Sequence, residues 1–157
     1  MNQEIVSDQT KNAADRLFDL PLFQAMRRLQ QDGEVHAKRL ARFGDLTPVQ
    51  LMILHVLERE GRSTASALSG RVSLTAATLS GVLDRLAERG LLQRQRDDQD
   101  RRRQWLQLSD TGRALLRDAP PLLPPEFRAR FQALPEWERH ALTAALLRAA
   151  ELCGAVE

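Results

Sequence analysis

The sequence of 157 residues has few aromatic side chains. Only 4% of its residues are aromatic, and tyrosine is absent. The core must therefore be built from leucine, alanine and valine, a composition that favours helices over sheets. The single cysteine, Cys153, excludes a disulfide within the chain. Its neighbours include no cation that would favour the reactive thiolate, so we do not expect it to sense oxidants.

Long apolar runs are absent as well. The first 17 residues contain no apolar segment of the kind found in a secretory signal. No stretch approaches the roughly 18 apolar residues that a membrane-spanning helix needs. We therefore expect a cytoplasmic protein that does not contact a membrane.

Motifs for catalysis and for metal binding are also missing. The sequence contains no P-loop, nucleophile elbow, paired catalytic acids or glycine-rich dinucleotide turn. Its histidines, His36, His55 and His140, are too far apart for metal-ligand spacing. We therefore expect neither an enzyme nor a bound metal or cofactor.

The charges nearly balance over the whole chain. The formal net charge is +2, with an isoelectric point near 9.3. A net charge this small does not by itself indicate nucleic-acid binding, so the positions of the charges have to decide the question.

Residues 46–108 carry a series of helix-start and helix-stop signals. They predict three helices, each with a Ser or Thr cap and a glycine near its end. The caps are Thr47, Thr64 and Ser73, the glycines are Gly61, Gly70 and Gly90, and the third helix runs from Leu74 to Arg89. Alternating segments at 91–96 and 104–108 then predict a β-hairpin around a charged turn.

Helices are predicted on both sides of this region. They cover about 12–43, with Pro21 separating a short leading helix from a longer one, then 109–118, capped by Ser109, and about 135–152. The predicted fold is mainly α, with a winged helix-turn-helix (a three-helix motif and a two-stranded β-wing) between N- and C-terminal helices.

The third helix of the motif has two different faces. One arc is apolar and would pack inward, through Leu79, Val82, Leu83 and Leu86. The other arc has small or polar side chains, with Thr78, Ser80 and Arg85 at its edges, and it suits a DNA major groove. An ordinary polar surface on a helical bundle would show the same pattern, so the helix alone leaves both interpretations open.

The predicted wing is rich in arginine. Five arginines and three aspartates lie between Gln93 and Gln104. Guanidinium groups at a hairpin tip can enter a DNA minor groove. Asp100 lies two residues before Arg102 and could hold its guanidinium in one orientation. The alternative is a solvated run of charges that neutralise one another.

Residues 46–112 contain three linked patterns. The first is Leu-Thr-Pro-Val-Gln at 46–50, and the second is Leu-Ala-Glu-Arg-Gly-Leu-Leu-Gln-Arg at 86–94. The third is the wing motif from Asp100 to Ser109, followed by Asp-Thr-Gly at 110–112. Together the three patterns resemble the MarR family of winged-helix regulators, and the resemblance extends over about residues 12–155.

This resemblance implies a homodimer that binds double-stranded DNA at a pseudo-palindromic operator, as a repressor released by a small-molecule ligand. It implies N-terminal dimerisation helices at 12–45, a DNA-binding lobe at 46–108, and C-terminal helices at 109–155 that complete the dimerisation domain. A departure at Gly81, where many relatives carry a basic or polar residue, leaves base specificity open. The competing function is a winged-helix module that binds an acidic protein partner instead of DNA.

Residue roles follow from the helix, the wing and the resemblance together. Arg102 would reach the minor groove, oriented by Asp100, and His36 and His55 are the candidates for lining a ligand cleft. The predicted DNA-binding residues are Ser73, Thr75, Thr78, Ser80, Arg85, Arg101, Arg102 and Arg103.

Overall fold

A computed structural model describes residues 16–97, 99–100 and 103–153 of the chain. Seven helices and three strands lie within these residues, in agreement with the mainly helical fold that the sequence predicts. In chain order they are α1 Asp19–Gly44, α2 Pro48–Glu60, β1 Ser63–Thr64, α3 Ala65–Val72, α4 Ala76–Glu88, β2 Leu92–Arg96, β3 Gln104–Leu108, α5 Asp110–Asp118, α6 Pro125–Ala133 and α7 Glu136–Leu152.

Helix α2 begins and ends at the residues that the sequence predicts. The Thr47 hydroxyl accepts a hydrogen bond from the Gln50 amide at 3.2 Å, and the Gln50 side chain accepts one from the Thr47 amide at 2.9 Å. This reciprocal pair is a capping box, and it satisfies two of the amides that a helix start leaves unbonded. Gly61 ends the helix with φ at 75°, a left-handed value that glycine adopts at no steric cost.

The boundary between α3 and α4 differs from the prediction. Ser73 does not cap α4: its φ is 51°, and it ends α3 in the left-handed conformation. Thr75 is the cap, so α4 begins at Ala76, and Gly70 lies inside α3. The Ser69 hydroxyl donates to the Leu74 carbonyl at 2.5 Å, which closes the turn between the helices. Cap identity within a run of Ser and Thr depends on such contacts, which the sequence pattern does not specify.

The wing belongs to a three-stranded antiparallel sheet rather than a two-stranded one. Its order is β1–β3–β2, with Ser63 opposite Leu106 and Leu92 opposite Leu108. Strand β1 was not predicted because two residues are too short to show an alternating pattern. It places the chain segment before α3 directly against the wing.

The buried core is aliphatic, as the composition predicts. Fifteen hydrophobic residues are buried in the described part of the chain, and thirteen of them are leucines. They come from α1 to α4, the sheet and the turns before α2 and after α4, with Leu115 and Leu116 of α5 packed against them. The wing and α4 are therefore attached to one common core.

The chain divides into two compact units, residues 1–122 and 123–157. The first contains α1 to α5 and the sheet. The second contains α6 and α7, with Phe127 and Phe131 stacked at 6.0 Å between ring centroids. Within the described residues, no helix is both long and apolar enough to cross a membrane. The three regions expected at 12–45, 46–108 and 109–155 remain predictions.

Candidate DNA-binding surface

The N-terminus of α4 is exposed and lined with hydroxyl groups. The Thr75 hydroxyl accepts from the Thr78 amide at 3.3 Å and donates to the Thr78 hydroxyl at 3.0 Å. Thr75, Thr78 and Ser80 are all exposed. The amides at such a helix start point outward and favour anions, so this end can meet both phosphates and base edges.

The two faces of α4 are arranged as the sequence predicts. Leu79, Leu83 and Leu86 are buried in the core, whereas Ser80 and Arg85 are exposed. A groove-binding helix needs this arrangement, because one face must hold it to the protein while the other remains free.

An ion pair links α4 to the wing. The Arg94 guanidinium of β2 lies 2.5 Å from the Asp84 carboxylate of α4. Both side chains are partly exposed, so the pair adds little stability. Its importance is geometric, because it fixes the first wing strand to the helix that faces outward. The sequence shows both residues but not their contact.

The turn of the wing is organised by Asp97. One carboxylate oxygen, Oδ1, accepts from the amides of Gln99 at 2.8 Å and Asp100 at 3.0 Å. The other oxygen, Oδ2, accepts from the indole N–H of Trp105 at 2.7 Å. The bond from the Asp100 amide, followed by the Trp105 and Gln99 bonds, lowers the pKa of Asp97 below its ordinary value. Asp97 is thus ionised at neutral pH and joins the turn to the second strand.

Trp105 and Leu106 are consecutive in β3, so their side chains lie on opposite faces of the sheet. The Trp105 side chain is half-buried. The guanidinium carbon of Arg62 lies 4.4 Å from its ring centroid, and that of Arg103 lies 4.9 Å away. The contact with Arg62 could not be read from the sequence, because it depends on the unpredicted pairing of Thr64 with Trp105.

The end of the wing is attached to the turn after α4. The Ser109 hydroxyl donates to the Gly90 carbonyl at 2.5 Å and accepts from the Gly112 amide at 2.9 Å. The Ser109 amide donates to the Leu91 carbonyl at 3.2 Å. Ser109 therefore caps α5, as the sequence predicts, and also closes the wing.

Comparison with known proteins gives consistent matches over this surface. The model of the MarR family matches residues 46–103. A probable transcriptional regulator from Pseudomonas aeruginosa, known as a crystal structure, is 32% identical, with a TM-score of 0.63 over 80% of this chain and 96% of that one. The chain belongs to the MarR family. It is therefore a transcriptional regulator.

Two further matches are named as repressors. The transcriptional repressor CouR, whose structure was solved bound to a 23-mer DNA duplex, is 28% identical, with a TM-score of 0.70 over 86% of this chain and 95% of that one. The repressor NicR from Pseudomonas putida is 35% identical over 71 residues, 45% of each chain. The present chain spans about half the length of the curated relatives it matches.

Several predicted site residues of this MarR protein have a described position, and others do not. Ser73 is exposed in the turn before α4, and Arg103 is exposed beside Trp105. Asp98, Arg101 and Arg102 lie outside the described residues. The proposed orientation of Arg102 by Asp100 therefore remains a prediction, although Asp100 itself is held in the turn through its amide.

The two candidate ligand residues differ in environment. His36 of α1 is buried, and neither ring nitrogen has a hydrogen-bond partner. His55 is on the exposed side of α2. Partial desolvation lowers the pKa of His55 below 6.5, against the opposing effect of the Glu58 charge. No cluster of three possible metal ligands occurs among the residues that the structure describes.

The C-terminal ends of α1 and α4 are also joined. Arg89, which follows α4, donates to the Asp45 carbonyl at 2.9 Å and also to the Gly44 carbonyl. Both carbonyls lie at the end of α1, the helix that carries His36. Sequence reasoning missed this contact because 44 residues separate Arg89 from Asp45.

Proposed function

We propose that this protein binds DNA by placing the N-terminus of α4 in a major groove and the wing tip in the adjacent minor groove. The observation that carries the proposal is the Arg94–Asp84 pair, because it joins the two DNA-facing elements into one unit. The exposed hydroxyls of Thr75, Thr78 and Ser80 supply groups that can contact phosphates and base edges.

Selection of duplexes from a random pool by the purified protein tests this proposal. We expect a pseudo-palindromic sequence to be enriched and its affinity to fall steeply with salt. Arg102→Ala should lose much of this affinity with its fold intact, and Asp100→Ala should lose a smaller part. If no sequence is enriched at low salt, DNA recognition is refuted and a protein-binding module becomes the better explanation.

We propose further that the functional unit is a homodimer. Helix α1 exposes a series of large apolar side chains, and α7 exposes another. They are Leu20, Leu22, Phe23, Met26, Leu29 and Val35 on α1, and Trp137, Leu142, Leu146, Leu147 and Leu152 on α7. Exposed apolar surface on this scale is unusual for a monomer, and a second copy of the chain would cover it.

Sedimentation at micromolar concentration tests the dimer. We expect the wild type to sediment as a dimer and Leu29→Asp to shift towards monomer, because Leu29 is half-exposed on α1. Gln31→Asp is the matched control, since Gln31 is an exposed polar residue on the same helix. A monomeric wild type would contradict the proposal.

The proposed role is repression that a small molecule relieves. The buried imidazole of His36 supports an effector site, because an imidazole without partners forgoes about 1–3 kcal/mol for each unsatisfied group. A polar ligand that bonds to this ring would recover that energy. Movement of α1 could then reach α4 through Arg89, which bridges their ends.

A thermal-shift screen with small carboxylic acids provides the test. An acid that binds His36 should raise the Tm of the wild type and weaken its DNA binding. His36→Leu should retain DNA binding and lose both responses. An acid that acts equally on the wild type and His36→Leu would move the effector site elsewhere.

A further inference from the structure

Two exposed arginines at the wing contact an aromatic ring instead of a carboxylate. Arg62 precedes β1, and Arg103 ends the turn of the wing; both pack on Trp105. Two other arginines of the lobe are paired with carboxylates: Arg94 pairs with Asp84, and Arg71 pairs with Glu60. Among the described residues, neither Arg62 nor Arg103 forms an ion pair. The Arg103 charge helps to lower the pKa of Asp97, whereas Arg62 shows no such carboxylate partner among the described residues. The Arg62 charge is therefore the more available of the two for an external anion.

The ring that holds these arginines is itself fixed. Trp105 lies on the central strand, paired with Gln95 on one side and Thr64 on the other. Its indole N–H donates to Asp97, the residue that organises the turn. Because both neighbouring strands fix its backbone and Asp97 holds its indole N–H, the position of the ring follows that of the wing.

Stacking on a fixed ring prepares a guanidinium for phosphate binding. The contact holds the planar group through its face and leaves the N–H donors at its edge free. It also removes side-chain freedom before a ligand arrives, which lowers the entropic cost of binding. An exposed arginine without such support would lose that freedom on binding.

We propose that Arg62 is a second DNA-backbone contact of the wing, held with Arg103 on the ring of Trp105, and that its ligand is a phosphate beside the minor groove that the wing enters. This inference rests on the proposed function. It adds a residue from outside the wing sequence and gives Trp105 a positioning role, with Asp97 holding the ring in place.

Salt-dependent binding separates a phosphate contact from a structural role. The probes are a duplex selected by the wild type and a scrambled duplex, read by fluorescence anisotropy over a range of salt concentrations. Arg62→Ala should raise the Kd on both duplexes by about tenfold, because a phosphate contact carries no sequence information. The slope of log K against log salt should become shallower by about two for a dimer, one contact per protomer. Arg117→Ala is the control, since Arg117 is an exposed arginine on α5.

Variants of Trp105 test positioning without changing charge. Trp105→Leu should raise the Kd several-fold and keep a near-native salt slope, because both arginines remain. Trp105→Phe retains a ring but cannot donate a hydrogen bond to Asp97, so its affinity should lie between those of the wild type and Trp105→Leu.

Arg62→Lys keeps the positive charge, so its salt slope should equal that of the wild type, while it should recover only part of the affinity that Arg62→Ala loses. Combining Arg62→Ala with Trp105→Leu should cost less than the sum of the two single changes.

The possible failures are distinguishable. If Arg62→Ala matches Arg117→Ala in both affinity and slope, Arg62 does not contact phosphate and the inference is overturned, while the proposed function stands. If the wild type enriches no duplex, the proposed function fails and the inference fails with it.

Discussion

Replacing Gly112 with alanine should destabilise the protein far more than an ordinary helix substitution. Gly112 lies in the first turn of α5 and is buried. A Cβ added there would lie 2.0 Å from the Leu91 carbonyl oxygen and 3.3 Å from a Leu108 methyl. Carbon and oxygen pack no closer than about 3.3 Å, so the backbone would have to separate by about 1.3 Å.

That movement has an identifiable cost. The Leu91 carbonyl accepts from the Ser109 amide, and the Gly112 amide donates to the Ser109 hydroxyl, so two hydrogen bonds worth about 1 kcal/mol each are at risk. Overpacking adds about 1–3 kcal/mol, and the better helix propensity of alanine returns about 1 kcal/mol. The net loss of unfolding free energy is about 3 kcal/mol, which lowers the Tm by roughly 10 °C in a chain of this size.

Thermal unfolding at one fixed protein concentration measures this effect. Gly70→Ala is the matched control: Gly70 is also in a helix, and no atom lies within 4 Å of an added Cβ. Gly70→Ala should stabilise the protein by about 0.5–1 kcal/mol. A Tm for Gly112→Ala equal to or above that of the wild type would refute the proposed close contact between α5 and the turn after α4.

Two further predictions concern α4 and His55. Thr75→Ala removes the cap of α4 and should lower the free energy of unfolding in urea by about 1 kcal/mol. Ser73→Ala removes no helix cap, so it should lower this free energy less. Equal losses in the two variants would contradict the assignment of Thr75 as the cap. The pKa of His55 is lower in the folded protein than its ordinary value of 6.5, so the unfolded state binds the proton more readily. The contribution of this residue to stability is therefore complete above pH 6.5 and is lost as the pH falls towards its pKa in the folded state. Unfolding titrations should therefore show a smaller stability loss below pH 6.5 in His55→Gln than in the wild type, and parallel curves would contradict the shift.

Local signals predict the helices well, because capping depends on neighbouring residues. The box at Thr47 and Gln50 and the cap at Ser109 could be read directly from spacing. The same reasoning failed at Ser73, because Ser73 and Thr75 both have cap chemistry and only the turn through Ser69 and Leu74 decides between them.

Contacts between distant segments could not be predicted in the same way. The sequence motif includes Gly112, but the reason for glycine there is the Leu91 carbonyl, which lies 21 positions earlier. The wing likewise shows its arginines in sequence, whereas the bond between Asp97 and Trp105 requires the strand register. The sequence analysis singled out Asp100, as the residue that orients Arg102, and overlooked Asp97, which accepts three hydrogen bonds at the turn.

The central claim is that α4 and the wing contact DNA together, once in each half of a dimer. Hydroxyl-radical footprinting on a duplex selected by the wild type tests it most directly. We expect two protected regions whose centres are about one helical turn, or 34 Å, apart, each with protection extending into the adjacent minor groove. Asp84→Ala should weaken the minor-groove protection more than the central protection, because it removes the carboxylate that holds Arg94 of the wing against α4. A single protected region, or uniform cleavage along the duplex, would contradict the account.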